Sequence, residues 1–87
     1  MIFYTKPLTS GTIVINSTDY VTSLSIQANA SSSCTIIGSA SFQGNTSSAI
    51  TLENGESFTL TTQNAQNTLS GITITWVSGT IDVVMGF

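Results

Sequence analysis

Apolar side chains recur in this chain at every second residue, in runs too short for anything but β-strands. In "YVTSLSIQA", Tyr20, Leu24, Ile26 and Ala28 alternate with the smaller or more polar Ser23, Ser25 and Gln27. That spacing predicts a strand buried on one face. Ile50 and Leu52 share a face in the same way, as do Phe58 and Leu60, and Ile72, Ile74 and Trp76. "TIVI", "CTIIG" and "ASFQG" supply shorter pieces. No window places apolar residues at i, i+3, i+4 and i+7 between helix caps, and the serine, threonine and glycine that fill the chain are poor helix formers.

Turn chemistry falls between the runs. Asn54-Gly55 predicts a hairpin between Leu52 and Phe58, because both residues tolerate positive φ. Ser78-Gly79 predicts a second one. It would make the final run a return strand, with Ile81, Val83 and Met85 on one face and Asp82 and Val84 on the other. "ANASSSC", "QGNTSS" and "TTQNAQNTLSG" read as loops. Seven or eight short strands at such spacings predict one all-β domain over residues 1–87. The expected form is a small antiparallel β-sandwich, a jelly roll or another Greek key, with a trimeric β-prism as the alternative.

Eighty-seven residues hold one core and little more. A chain of this size is marginal unless something staples it. Cys34 is the single cysteine and there is no histidine, so neither an internal disulfide nor a tetrahedral metal site can serve, and no cofactor is expected. Oligomerisation is the staple that remains. Only 6% of residues are charged, while 29 of the 87 are serine or threonine. An uncharged polar surface suits packing against neighbours, because charge is depleted from interface cores. One lysine and no arginine leave nothing to neutralise a phosphate backbone, which argues against nucleic acid. "MIFYTKPLTSGT" lacks the charged and apolar regions of a signal peptide, and no run is long enough for a membrane helix. Synthesis in a cytoplasm without secretion by a signal peptide, and no membrane partner, are the expectations.

The inventory for catalysis is thin. Without histidine the usual general base is missing. Glu53 and Glu56 flank a turn whose exposure would leave both carboxylates solvated, and no acidic cluster has calcium-ligand spacing. Cys34, at the head of an apolar run, reads as an inert buried thiol. Three Asn-x-Ser/Thr triplets, at Asn16, Asn29 and Asn45, are what chance yields in so hydroxyl-rich a chain. Thr59 with Thr61, and Thr73 with Thr75, share strand faces as in ice-binding surfaces, but lack the fixed repeat such surfaces need. Tyr4, Tyr20 and Trp76 could stack on sugar rings, with Asn and Gln of "TTQNAQN" as hydrogen-bonding partners. Alternation with Ile72 and Ile74 turns Trp76 inward instead.

Met1, the hydroxyl-rich strands, the scarcity of charge and the run "GESFTL…GITITWVSGTIDVVMGF" together resemble the small all-β structural proteins of tailed bacteriophage virions. The stretch "SGTIDVVM" is similar to closing strands of capsid decoration proteins and of head-fibre and tail β-domains. The resemblance implies a non-enzymatic virion protein, often a trimer, that packs beside other virion proteins such as the major capsid protein. Expected interface residues are Ile2, Phe3, Val84 and Phe87. The alternative is a small carbohydrate-binding β-sandwich module.

Overall fold

A computed structural model describes residues 2–38, 48–62 and 67–87. Among these residues eight strands form in chain order: β1 (Phe3–Leu8), β2 (Thr12–Ile15), β3 (Ser23–Ala28), β4 (Ser33–Gly38), β5 (Ile50–Glu53), β6 (Ser57–Thr61), β7 (Ile72–Ser78) and β8 (Ile81–Gly86). The only helical piece among the described residues is a 3₁₀ turn at Ser17–Asp19. The expected strand in "ASFQG" lies outside the described residues.

Two four-stranded antiparallel sheets pack face to face, ordered β1-β8-β3-β6 and β2-β7-β4-β5. The pairing is nested: β1 meets β8, β2 meets β7, β3 meets β6 and β4 meets β5. One long antiparallel hairpin has been rolled up, and β3·β8 and β4·β7 are the contacts made by the rolling. This is the jelly-roll topology.

Both turn signals are real turns, yet neither joins paired strands. Asn54 (φ 54) and Gly55 (φ 92) take the left-handed conformation expected of them. They carry the chain from β5 in one sheet to β6 in the other. Ser78-Gly79 likewise crosses from β7 to β8, so β8 is not the return strand of a hairpin. It lies between β1 and β3 at the centre of its sheet. Nothing in a turn's own φ values requires its flanking strands to pair. Here long-range burial decides that they do not.

Gly79 is fixed by more than its positive φ of 72. A Cβ placed there would lie 2.9 Å from the Ser32 Cα and 2.8 Å from its Cβ. Ser32, the one buried polar residue among those described, accepts a hydrogen bond from the Thr80 N–H at 2.9 Å. The arch between the sheets is thereby pinned to the turn before β4.

Alternation fills the core. Leu24, Ile26, Ala28, Ile81, Val83 and Leu8 from one sheet face Ile15, Cys34, Ile36, Leu52, Ile72 and Ile74 from the other, all buried. Phe58, Trp76 and Met85 cover the margins. Tyr20 departs from the expected alternation. It sits before β3 in the left-handed region (φ 58) and is 69% exposed.

Candidate functional site

The outer faces of both sheets consist largely of small hydroxyls. On one, Thr12, Thr75, Thr35 and Thr51 line up across four strands. On the other, Thr5, Val84, Ser25 and Thr59 form a row, with Ser25 Oγ and Thr59 Oγ1 3.4 Å apart. Asp82 is on this outer face and accepts a hydrogen bond from Asn29 Nδ2 at 3.1 Å. A shallow hollow of 440 Å³ over β1 and β8 is lined by Thr5, Lys6, Pro7, Gln27, Asp82, Val83 and Val84, none of them aromatic.

Ten large apolar residues are exposed among those described; Tyr20, Ile37, Ile50, Leu60 and Val77 are spread over the domain, and the other five lie on or beside β1 and β2, the edge strands at the open side of the sandwich. Ile2 is 73% exposed, Phe3 68%, Val14 53% and Phe87 42%. The Phe87 N–H donates to the Ile2 carbonyl at 3.0 Å, which holds the two ends of β1 and β8 together. Between the two edges runs a cleft of 280 Å³, lined by Tyr4, Met85 and Phe87 from one sheet, by Ile13, Val14 and Ile15 of β2 and by Val21 from the segment before β3. Asp19 stands at its border, and its Oδ2 accepts the Asn16 N–H at 2.7 Å.

The four edges differ in how they are guarded. An exposed strand edge invites pairing with other chains unless charge or proline discourages it. On β1, the Phe87-to-Ile2 bond sets the alternation, so even-numbered residues bond to β8 and Phe3, Thr5 and Pro7 turn their backbone outward. Pro7 therefore lacks an N–H where no partner strand exists, and Lys6 stands beside it. β5 ends on Glu53, and β6 follows Glu56. β2 reads Thr-Ile-Val-Ile, with neither charge nor proline within it or in the two residues on either side.

The expected interface residues thus divide. Ile2 and Phe87 are joined by their backbone bond, and Phe87 lines the cleft, whereas Phe3, paired with Gly86, alternates to the outer face with Thr5. Val84, half-buried, is on the outer face between Thr5 and Ser25. The three aromatics proposed to stack on sugars do not meet. Trp76 is half-buried, and its Nε1 donates to the Gly79 carbonyl at 2.7 Å, at the Ile81 end of β8. Tyr20 precedes Thr22, whose N–H donates to the Gly86 carbonyl at the other end. The length of β8, roughly 17 Å, separates them. Part of the "TTQNAQN" loop lies outside the described residues, as does Asn45.

Glu53 and Glu56 are exposed, and Glu56 Oε1 accepts the Glu53 N–H at 2.9 Å, so the pair closes the turn. Cys34 is fully buried, and loss of solvation pushes its thiol pKa up, away from thiolate chemistry. No group of three His, Cys, Asp or Glu side chains among the described residues could hold a metal ion. The edge contrast escaped sequence reading, because the uncharged run at β2 becomes informative only once β2 is known to be an edge. No family model, curated protein or solved structure matches this chain.

Proposed function

We propose that this protein is a non-enzymatic building part of a phage virion, a capsid decoration or head or tail accessory protein. In this reading it self-associates and seats on a larger assembly. The observation that carries the reading is that Ile2, Phe3, Tyr4, Val14 and Phe87, five of the ten exposed large apolar residues among those described, lie on or beside the two edge strands at one open side of the domain. Exposed apolar groups gathered in one place mark interaction surfaces, whereas scattered ones do not. Covering about 300 Å² of that surface would contribute about 7 kcal/mol before ordering costs, comparable with the stability of a small domain. The virion setting is supported by the sequence resemblance together with a jelly roll, an architecture that capsid and lectin domains share. Fold by itself assigns no function. Separation of Trp76 from Tyr4 and Tyr20 tells against the carbohydrate alternative.

The test is solution mass by light scattering over a wide concentration range. The native chain is expected above monomer mass, the trimer implied by the resemblance being one such state. The Ile2→Ser/Phe87→Ser variant is expected at monomer mass. A native chain that is monomeric throughout, or a double variant of unchanged mass, overturns the reading.

A further inference from the structure

We propose that the free edge of β2 pairs with β2 of a second copy about a two-fold axis at Ile13, joining two sheets into one of eight strands. The inference rests on the self-association reading and names the contact. Its starting point is backbone valence. The Trp76 N–H donates to the Gly11 carbonyl at 3.0 Å and the Gly71 N–H to the Ile15 carbonyl at 2.9 Å, so the odd-numbered residues of this stretch bond inward to β7. Antiparallel alternation then turns the N–H and C=O of Thr12 and Val14 outward, away from their own sheet.

Three antiparallel registers would let a second β2 use those groups. Centring on Thr12 sets Val14 opposite Ser10, which lies beyond the strand, past Gly11 with its φ of 81. Centring the pair on Val14 sets Thr12 opposite Asn16 of the copy. Asn16 has nothing to offer, because its N–H is held by the Asp19 carboxylate at 2.7 Å and its carbonyl accepts the Asp19 N–H at 3.0 Å. Centring on Ile13 sets Thr12 opposite Val14 twice over and satisfies all four outward N–H and C=O pairs. In that register the two Ile13 side chains meet as a non-hydrogen-bonded pair, the arrangement in which opposed side chains are closest. Both point toward the cleft, where Ile13 is only half-buried in the single chain.

The partner is argued from charge. A strand carrying lysine or glutamate would set that charge against Ile13, Val14 and Ile15, whereas a second β2 brings none. The closest acidic groups also keep apart. In the Ile13-centred register each Asp19, tied to Asn16, faces the uncharged Ser10-Gly11 turn of the copy. The two Asn16 positions lie six residue steps apart along the paired strands, roughly 20 Å, beyond the screening length of physiological salt. The contact is also continuous with the exposed strip at Phe87 and Tyr4, which borders the same cleft.

The experiment is cysteine cross-linking under native, mildly oxidising conditions. Opposed non-hydrogen-bonded residues lie within disulfide reach, so Ile13→Cys is expected to give a covalent dimer. Val77→Cys, on the outer face away from the edge, and the native chain with Cys34 buried are expected to give none. In parallel, Val14→Pro removes an outward N–H as Pro7 does on β1, and Val14→Lys places a charge on the edge. Both are expected to lose the dimer while keeping native circular dichroism and Trp76 fluorescence, so either variant suffices if the other fails to fold. A native oligomer with no Ile13→Cys cross-link, or one untouched by both Val14 variants, overturns the pairing and leaves self-association standing. A chain monomeric at every concentration overturns both.

Discussion

Replacing Gly79 with alanine tests the arch that joins the two sheets, and Gly11→Ala is its internal control. Both glycines have positive φ, 72 at Gly79 and 81 at Gly11. A Cβ at Gly11 meets nothing within 4 Å, while one at Gly79 runs into the Ser32 backbone and side chain. Alanine at Gly11 should therefore cost about 1 kcal/mol, the left-handed penalty alone. At Gly79 an overpacking cost of about 2 kcal/mol adds to this, because the Ser32 Cα cannot rotate away, for a total of about 3 kcal/mol. In a domain of this size the two substitutions should lower Tm by about 5 and about 15 °C. Urea unfolding followed by circular dichroism and by Trp76 fluorescence measures both, and two probes guard against a purely local change beside Trp76. Ser32→Gly removes the Cβ part of the collision, so a double-mutant cycle should recover about 1 kcal/mol of the Gly79→Ala loss. Equal losses at Gly79 and Gly11, or no coupling to Ser32, would refute the close approach.

Other substitutions probe other parts of the structure. Ile74→Ala, at a fully buried site between the sheets, should cost about 3 kcal/mol by denaturant unfolding. Tyr20→Gly removes an exposed side chain from a left-handed position and should stay within about 0.5 kcal/mol of the native chain. Burial holds Cys34 protonated above its ordinary value near 9, so the folded state keeps a proton that the unfolded chain gives up. Its contribution to stability is full below pH 9 and is lost as pH rises beyond, so the alkaline loss measured by unfolding should be smaller in Cys34→Ala. A thiol reagent should label Cys34 slowly in native protein and rapidly in denaturant. Trp76→Phe, which loses the bond to the Gly79 carbonyl, should cost about 1 kcal/mol, and added sugars should leave native Trp76 fluorescence unshifted.

The strands were legible in the sequence because burial on one face imposes a two-residue period wherever the chain is extended. Leu24, Ile26, Ile72, Ile74, Ile81 and Val83 all point where alternation places them. β1 was not among the strands read from the sequence: Lys6 and Pro7 break its pattern, and both make sense only on an edge. Strand partners were not legible. Asn54-Gly55 and Ser78-Gly79 specify a reversal of direction, and a reversal serves equally for a hairpin and for an arch between sheets. Choosing between them takes contacts from distant segments, such as Ser32 against Gly79. The gathering of Ile2 and Phe87 was expected from their apolar character. The share of β2 in that surface was not, since it follows from an edge position set by topology.

Nested pairing also sets an order of events in time. β8 lies between β1 and β3, yet it is the last of the eight strands to leave the ribosome. Until it arrives, β1 has no neighbour in its sheet and β3 has only β6. The nascent chain must therefore carry open strand edges through most of its synthesis, and slow closure of distant pairings exposes such edges to aggregation. Scarcity of charge within the strands sharpens that hazard, whereas Lys6 and Pro7 protect β1 for as long as it waits.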